Sequence, residues 1–138
     1  MKFLVASLVT AVLFISHTIT AQENVSITAT VVNATSDVGK VSFALYDKEN
    51  FRMKPLQAVS SEIKEGKSVV IFTDIPSGEY SIICFHDKNE NNKMDFAPNG
   101  MPLESYGASN NVMNFGPPKY EDAKFVVTNI NVSLEIKF

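Results

Sequence analysis

The sequence predicts an all-β protein: a single antiparallel β-sandwich of six to eight strands, with a long ordered loop between its middle and C-terminal strands. Three observations carry this expectation. Apolar residues recur with a period of two after Gln22, turn-forming residues punctuate them at short intervals, and no segment keeps a helical period. Short strands at that spacing pack as two sheets around one core.

The first residues stand apart from this pattern. Lys2 gives a positive start, Phe3–Ile15 is an apolar run broken only by Ser and Thr, and the more polar Ser16–Ala21 ends in a small residue. No Asp or Glu occurs before Glu23. That order is the plan of a secretory signal peptide, with cleavage expected after Ala21 although Ile19 is an unusual residue three places before the cut. The apolar run is shorter than the roughly 20 residues of a spanning helix. Residues 1–21 are therefore read as a signal peptide and 22–138 as one domain with no transmembrane segment, secreted or periplasmic. With no cysteine near the junction, a lipid anchor is not expected.

About 117 residues remain, a length typical of one domain with one core. Cys84 is the chain's one cysteine, so no internal disulfide exists to hold the fold. It sits in the apolar run Tyr80–Phe85 and is expected to be a buried small hydrophobe, not a nucleophile.

Each strand follows from its alternation. In Val25–Val31 the residues Val25, Ile27, Ala29 and Val31 form one face. After the turn-rich Asn33–Gly39, Lys40–Tyr46 sets Val41, Phe43 and Leu45 against Ser42, Ala44 and Tyr46. Asp47–Ala58 is expected to hold a turn or a short helical piece limited by Pro55. Lys67–Thr73 and Glu79–Phe85 read as two strands joined by Asp74–Gly78, where Pro76 presets one backbone angle and Gly78 is expected to supply a positive one. Lys124–Thr128 and Ile130–Phe138 close the chain, the latter with Ile130, Val132, Leu134 and Ile136 in phase.

Charge excludes one class of partner. Twelve Lys and Arg face fifteen Asp and Glu, a net charge of −3, and the basic residues are scattered singly. Nucleic acid and anionic membrane surfaces are not expected partners. An unidentified protein, polymer or small ligand remains open.

The stretch from Phe85 to Lys124 breaks the rhythm. A structureless connection longer than about 15 residues is uncommon in a compact domain and is usually functional or disordered. Phe96, Met101, Leu103, Tyr106, Met113, Phe115 and Tyr120 give it apolar material, so it is expected to be ordered and to fold against the sandwich.

That stretch opens with HDKNENNKMD, residues 86–95. Asp87, Asn89, Asn91 and Asp95 occupy positions 1, 3, 5 and 9 of a loop, with Lys93 at position 7. Calcium takes six to eight oxygens, and the helix-loop-helix calcium loop supplies them from those positions, position 7 through its carbonyl. Asn92 stands where a sharp turn normally needs Gly, and Asn tolerates the left-handed backbone best among the other residues. Position 12, which should carry a bidentate Glu, is Pro98; Glu104 is the nearest later candidate. The expected metal set is thus Asp87, Asn89, Asn91, Lys93, Asp95 and Glu104, with calcium bound weakly. A solvent-exposed Asn-rich turn accounts for the same composition. A hydrolase using His86, Asp87, Asp95 and Glu104 is a second alternative; no catalytic residues are assigned, because no triad can be assembled and His86 is the one histidine after the leader.

Four runs, DIPSGEY, HDKNENNKMD, NGMPLESYGASNN and FGPPKYEDAKF, together resemble the secreted bacterial family called domain of unknown function 2141. The likeness covers essentially the whole chain after the leader. It implies a prealbumin-like or immunoglobulin-like sandwich exported from mostly Gram-negative bacteria, and it supplies no activity. Gly100, Pro102, Glu104, Tyr106, Gly107, Ser109, Asn110 and Asn111 match the family's G-x-P-x-E-G-Y-G-x-S-N-N motif, while Ser105 replaces a glycine. The family also carries glycines where this chain has Glu90 and Asn92. Asn24, Asn33 and Asn131 open glycosylation-type triplets, which a bacterial protein rarely uses.

Overall fold

The alternating segments pair as their apolar faces require. The computed structural model describes residues 23–138, and the expected leader and its cleavage point lie outside the described residues. Strands β1 (Val25–Val31) and β2 (Lys40–Tyr46) fall where the alternation predicts, each burying every second residue. They are followed by β3 (Gln57–Glu62), β4 (Ser68–Ile75), β5 (Gly78–Asp87), β6 (Tyr106–Ala108), a single helical turn α1 (Tyr120–Ala123), β7 (Phe125–Val127) and β8 (Val132–Ile136).

Two sheets face each other, in the arrangement of a β-sandwich and not of a closed barrel. One has the order β4-β1-β8, the other β3-β2-β5-β6, with β7 also on β5. Most pairs are antiparallel; β1 and β8 run parallel, Ile27 opposite Val132 through Val31 opposite Ile136. Strand β5 is the spine of the larger sheet. On one edge it carries β2, and on the other β7 pairs with Gly78–Tyr80 and β6 with Ile83–Phe85.

Ile27, Ala29, Val31, Val41, Phe43, Leu45, Phe72, Ile82, Val127 and Ile136 are fully or almost fully buried between the sheets. Each large side chain among them contributes about 1.5–3 kcal/mol on leaving water, and this burial, not cross-linking, holds the fold. Cys84 joins that core: wholly buried and free, its thiol is pushed well above its usual ionisation range by burial.

The segment after Tyr46 takes the turn, the first of its two expected forms: Asp47 Oδ1 accepts hydrogen bonds from the Asn50 amide N–H and side-chain amide before β3. Other expectations are corrected. Strand β3 has no apolar alternation strong enough to announce it, and it is ordered by pairing with β2, Lys40 opposite Glu62 through Leu45 opposite Gln57. At the Asp74–Gly78 turn the positive φ belongs to Asp74, at +58°, and not to Gly78. Ile130 lies outside β8 and is exposed. The long loop is ordered as expected, but Phe96, Met101, Leu103, Met113 and Phe115 point outward from it. Of the seven expected to fold against the sandwich, Tyr120 is buried and Tyr106 half-buried, and hydrogen bonds organise the rest of the loop.

Candidate functional site

The end of β5 and the end of the β1–β2 connection meet at one corner of the sandwich. Gly39, at φ +77°, lies so close to the Asp87 carbonyl that a Cβ there would fall 2.3 Å from its oxygen. This contact seats the start of the polar loop on the sheet. Asp87, the last residue of β5, is fully buried. Its Oδ1 accepts the Asn91 N–H at 3.1 Å and its Oδ2 the Asn92 N–H at 2.9 Å, so the chain curls back over it. A carboxylate accepting backbone N–H groups forms strong, charge-assisted bonds. The curl requires left-handed backbone at Glu90 (φ +55°) and Asn92 (φ +62°).

Inside the curl the alternate side chains converge. Asn89 Nδ2 donates to Asp95 Oδ2 at 2.8 Å, and Asn91 Nδ2 reaches both Asp95 oxygens at 2.9 Å. Lys93 contributes its N–H to Asn91 Oδ1 at 2.9 Å. Glu104 returns to the loop from beyond the NGMPL hairpin. Its Oε1 accepts the Lys88 N–H at 3.2 Å and its Oε2 the Asp95 N–H at 3.1 Å, closing both ends of the curl. The hairpin in between is held by Leu103 N–H to the Asp95 carbonyl and by the Phe96–Pro102 bridge. All six residues of the expected set therefore belong to one loop, with Glu104 turned to backbone N–H groups. Among the described residues no three His, Cys, Asp or Glu side chains are grouped as a metal-binding set. Any cation here would rest on carboxylate, amide and backbone oxygens together.

His86 shares this corner, but neither ring nitrogen bonds a carboxylate of the loop. It is fully buried, its Nε2 lies 2.7 Å from the Val38 carbonyl, and its ring stacks on Phe138 with centroids 6.2 Å apart. A carbonyl only accepts, so Nε2 donates to it, while Nδ1 has no partner among the described residues. That geometry makes His86 a tie between β5 and the β1–β2 connection.

Lys40 was missed by sequence reasoning. Its Nζ donates to Asn92 Oδ1 at 2.6 Å, pinning the crest of the loop to β2. No motif marks it, because the contact joins residues far apart in the chain. The GASNN run also proves structural. A Cβ on Gly107 would fall 2.5 Å from the Lys137 carbonyl oxygen, so only glycine lets β6 approach β8. Ser109 accepts the Ile82 N–H at 3.0 Å and bonds the Ala123 carbonyl. Asn110 donates to the Asp122 and Lys124 carbonyls, and Asn111 donates to the Glu135 carbonyl of β8 and accepts the Lys137 N–H just after it. These three side chains staple the loop to both sheets.

Fold and corner together define a small two-sheet β domain with a self-closed acidic loop. A family model described as an uncharacterized protein conserved in bacteria, domain of unknown function 2141, matches residues 29–135, and the chain belongs to that family. No curated protein and no solved structure matches it. Among the described residues no helix is long and apolar enough to cross a membrane.

Proposed function

We propose that this chain is an exported, non-enzymatic binding or structural module whose Asp87–Asp95 loop takes calcium. The observation that carries the reading is the gathering of Asn89, Asn91 and Asp95 side chains inside the curl that Asp87 and Glu104 close. Among the described residues, no Lys or Arg nitrogen lies within 4 Å of these three carboxylates. Three carboxylates at one corner, none of them in an ion pair, favour a cation from solution even with the Lys40 ammonium held nearby on Asn92. Binding asks Asn89 and Asn91 to turn their amide oxygens toward Asp95, a rotation about a soft terminal torsion. With so few charged ligands, affinity belongs in the roughly 0.1–1 mM range of extracellular modules. The leader-like start of the sequence supports export to a compartment where calcium reaches that level. The hydrolytic alternative gains no support, since His86 is buried and Asp87 and Glu104 already accept backbone N–H groups.

The test is thermal melting of the mature domain with calcium and with chelator. At free calcium tenfold above the dissociation constant, stability should rise by about 1.4 kcal/mol, or several degrees. Asp95→Asn should abolish that response while keeping the fold, because the Asp95 carboxylate accepts only side-chain amides. A melting temperature indifferent to calcium and chelator overturns the reading.

A further inference from the structure

The loops beyond the corner leave apolar side chains facing water. Phe96 and Met101 project from the hairpin beside Asp95, Met113 and Phe115 from the following loop, and Met53 from the turn after β2. Contiguous exposed apolar surface on a small domain marks an interaction site. Phe96 and Met101 border a cavity of about 310 Å³, walled also by Ile83, Met94, Tyr106 and the Pro117–Pro118 pair. The walls are braced: Tyr106 donates from its hydroxyl to the Gly116 carbonyl at 3.2 Å, and the Met101 carbonyl accepts the Ala97 N–H at 2.8 Å.

One lining residue is charged, and it is Arg52. Among the described residues its guanidinium has no Asp or Glu oxygen within 4 Å. Its backbone is left-handed, at φ +59°, where glycine would sit without strain. Strained conformations of this kind gather at ligand clamps. A larger cleft of about 510 Å³ opens past Tyr106, but Lys119, Lys137 and Asp122 line it together and give it no preference for one sign of charge.

We propose that the smaller cavity binds an amphiphile with an apolar chain and an anionic head, the chain lying on Met94, Phe96 and Met101 and the head on Arg52. Its volume is at the lower end of ligand cavities, roughly 300–1,000 Å³, which suits a medium-length chain. The methionine walls adapt to a flexible chain without a fixed hydrogen-bond pattern. In a chain of net charge −3, the unpaired guanidinium is the local feature that makes an anionic head welcome.

Met94 and Met101 line this cavity, so methionine-methyl NMR of the full mature chain reads it directly. The probe is dodecanoate below its micelle threshold, with chelator present so that the calcium reading is not involved. Dodecanoate should shift the Met94 and Met101 methyl signals saturably, and dodecyltrimethylammonium should bind about tenfold more weakly or less, the loss of one charge-assisted contact. Arg52→Gly should weaken dodecanoate by about tenfold while leaving the melting temperature unchanged or higher, since it relieves the left-handed backbone. Arg52→Lys should keep most of the affinity. Unmoved methyl signals, equal affinity for both head groups, or undiminished binding by Arg52→Gly each overturn the proposal. So do methyl shifts that track protein concentration alone, which would assign the groove to a second copy of the chain.

Discussion

Glu90 and Asn92 hold the left-handed backbone on which the acidic loop depends, at φ +55° and +62°. Asn is tolerated there, and its Oδ1 is used by Lys40. Glu90 is exposed and no side-chain hydrogen bond offsets its strain, so it carries a conformational cost that a glycine would not. These are the two positions where the resembling family carries glycine, and the backbone angles give the physical reason. Glu90→Gly should raise stability by about 0.5–1 kcal/mol, read as a higher urea midpoint, the relief outweighing the added freedom of the unfolded chain. Glu90→Ala should bring no such gain. Asp87 lies at the other extreme of this scale: two backbone N–H groups depend on its buried carboxylate. Asp87→Ala should lower stability by about 1.5–3 kcal/mol in the same measurement.

At the scale of elements, β6 shows how much a three-residue strand can hold. It pairs with Ile83–Phe85, passes Gly107 beneath the Lys137 carbonyl, and delivers Ser109, Asn110 and Asn111 to their partners. A methyl group at Gly107 has nowhere to go, with the Ile136 Cγ2 also 2.8 Å away. Gly107→Ala should therefore cost about 1–3 kcal/mol and, by separating β6 from β8, speed amide exchange at Cys84 and Phe85 beyond what a uniform destabilisation gives. Neither β6 nor β3 could be read from the pattern. Alternation in Tyr106–Ala108 is too short to register, and Gln57–Glu62 is nearly all polar or small on both faces. Strand β2, with Val41, Phe43 and Leu45 on one face, was legible because it is buried on that face along its whole length.

At the scale of the whole molecule, stability rests on the apolar layer between the sheets and on the clasps that bring the long loop against it. Tyr120 belongs to both. Its ring meets Phe51 edge-on at 5.5 Å, and its hydroxyl donates to the Glu79 carbonyl at 3.1 Å, fixing α1 on β5. Burial first, then the nearby Glu79, Asp47 and Glu121, push its ionisation up from 10 to about 12. The folded state therefore keeps the phenol neutral where the unfolded chain would release its proton. The stability this gives is complete below pH 10 and is lost as pH rises from about 10 toward 12. Chemical denaturation across that window should show the decline, and Tyr120→Phe should make it shallower. The ion pairs of Lys124 with Glu121 and Glu79, exposed on the same face, contribute little to this balance.

By itself the sequence determined the β class, the faces of the long strands, the burial of Cys84 and the oxygen-rich spacing of the loop. Each of these is a local property: alternation fixes which side chains leave water, and spacing along a tight curl fixes which turn inward. The tertiary structure alone decided that β1 and β8 pair in parallel, that Glu104 clamps the Lys88 and Asp95 N–H groups, and that Lys40 and Gly39 seat the loop. It also decided that Phe96 and Met101 face outward on the cavity that Arg52 borders. Those outcomes depend on which distant segments meet once both sheets have closed, and no window of sequence carries that information.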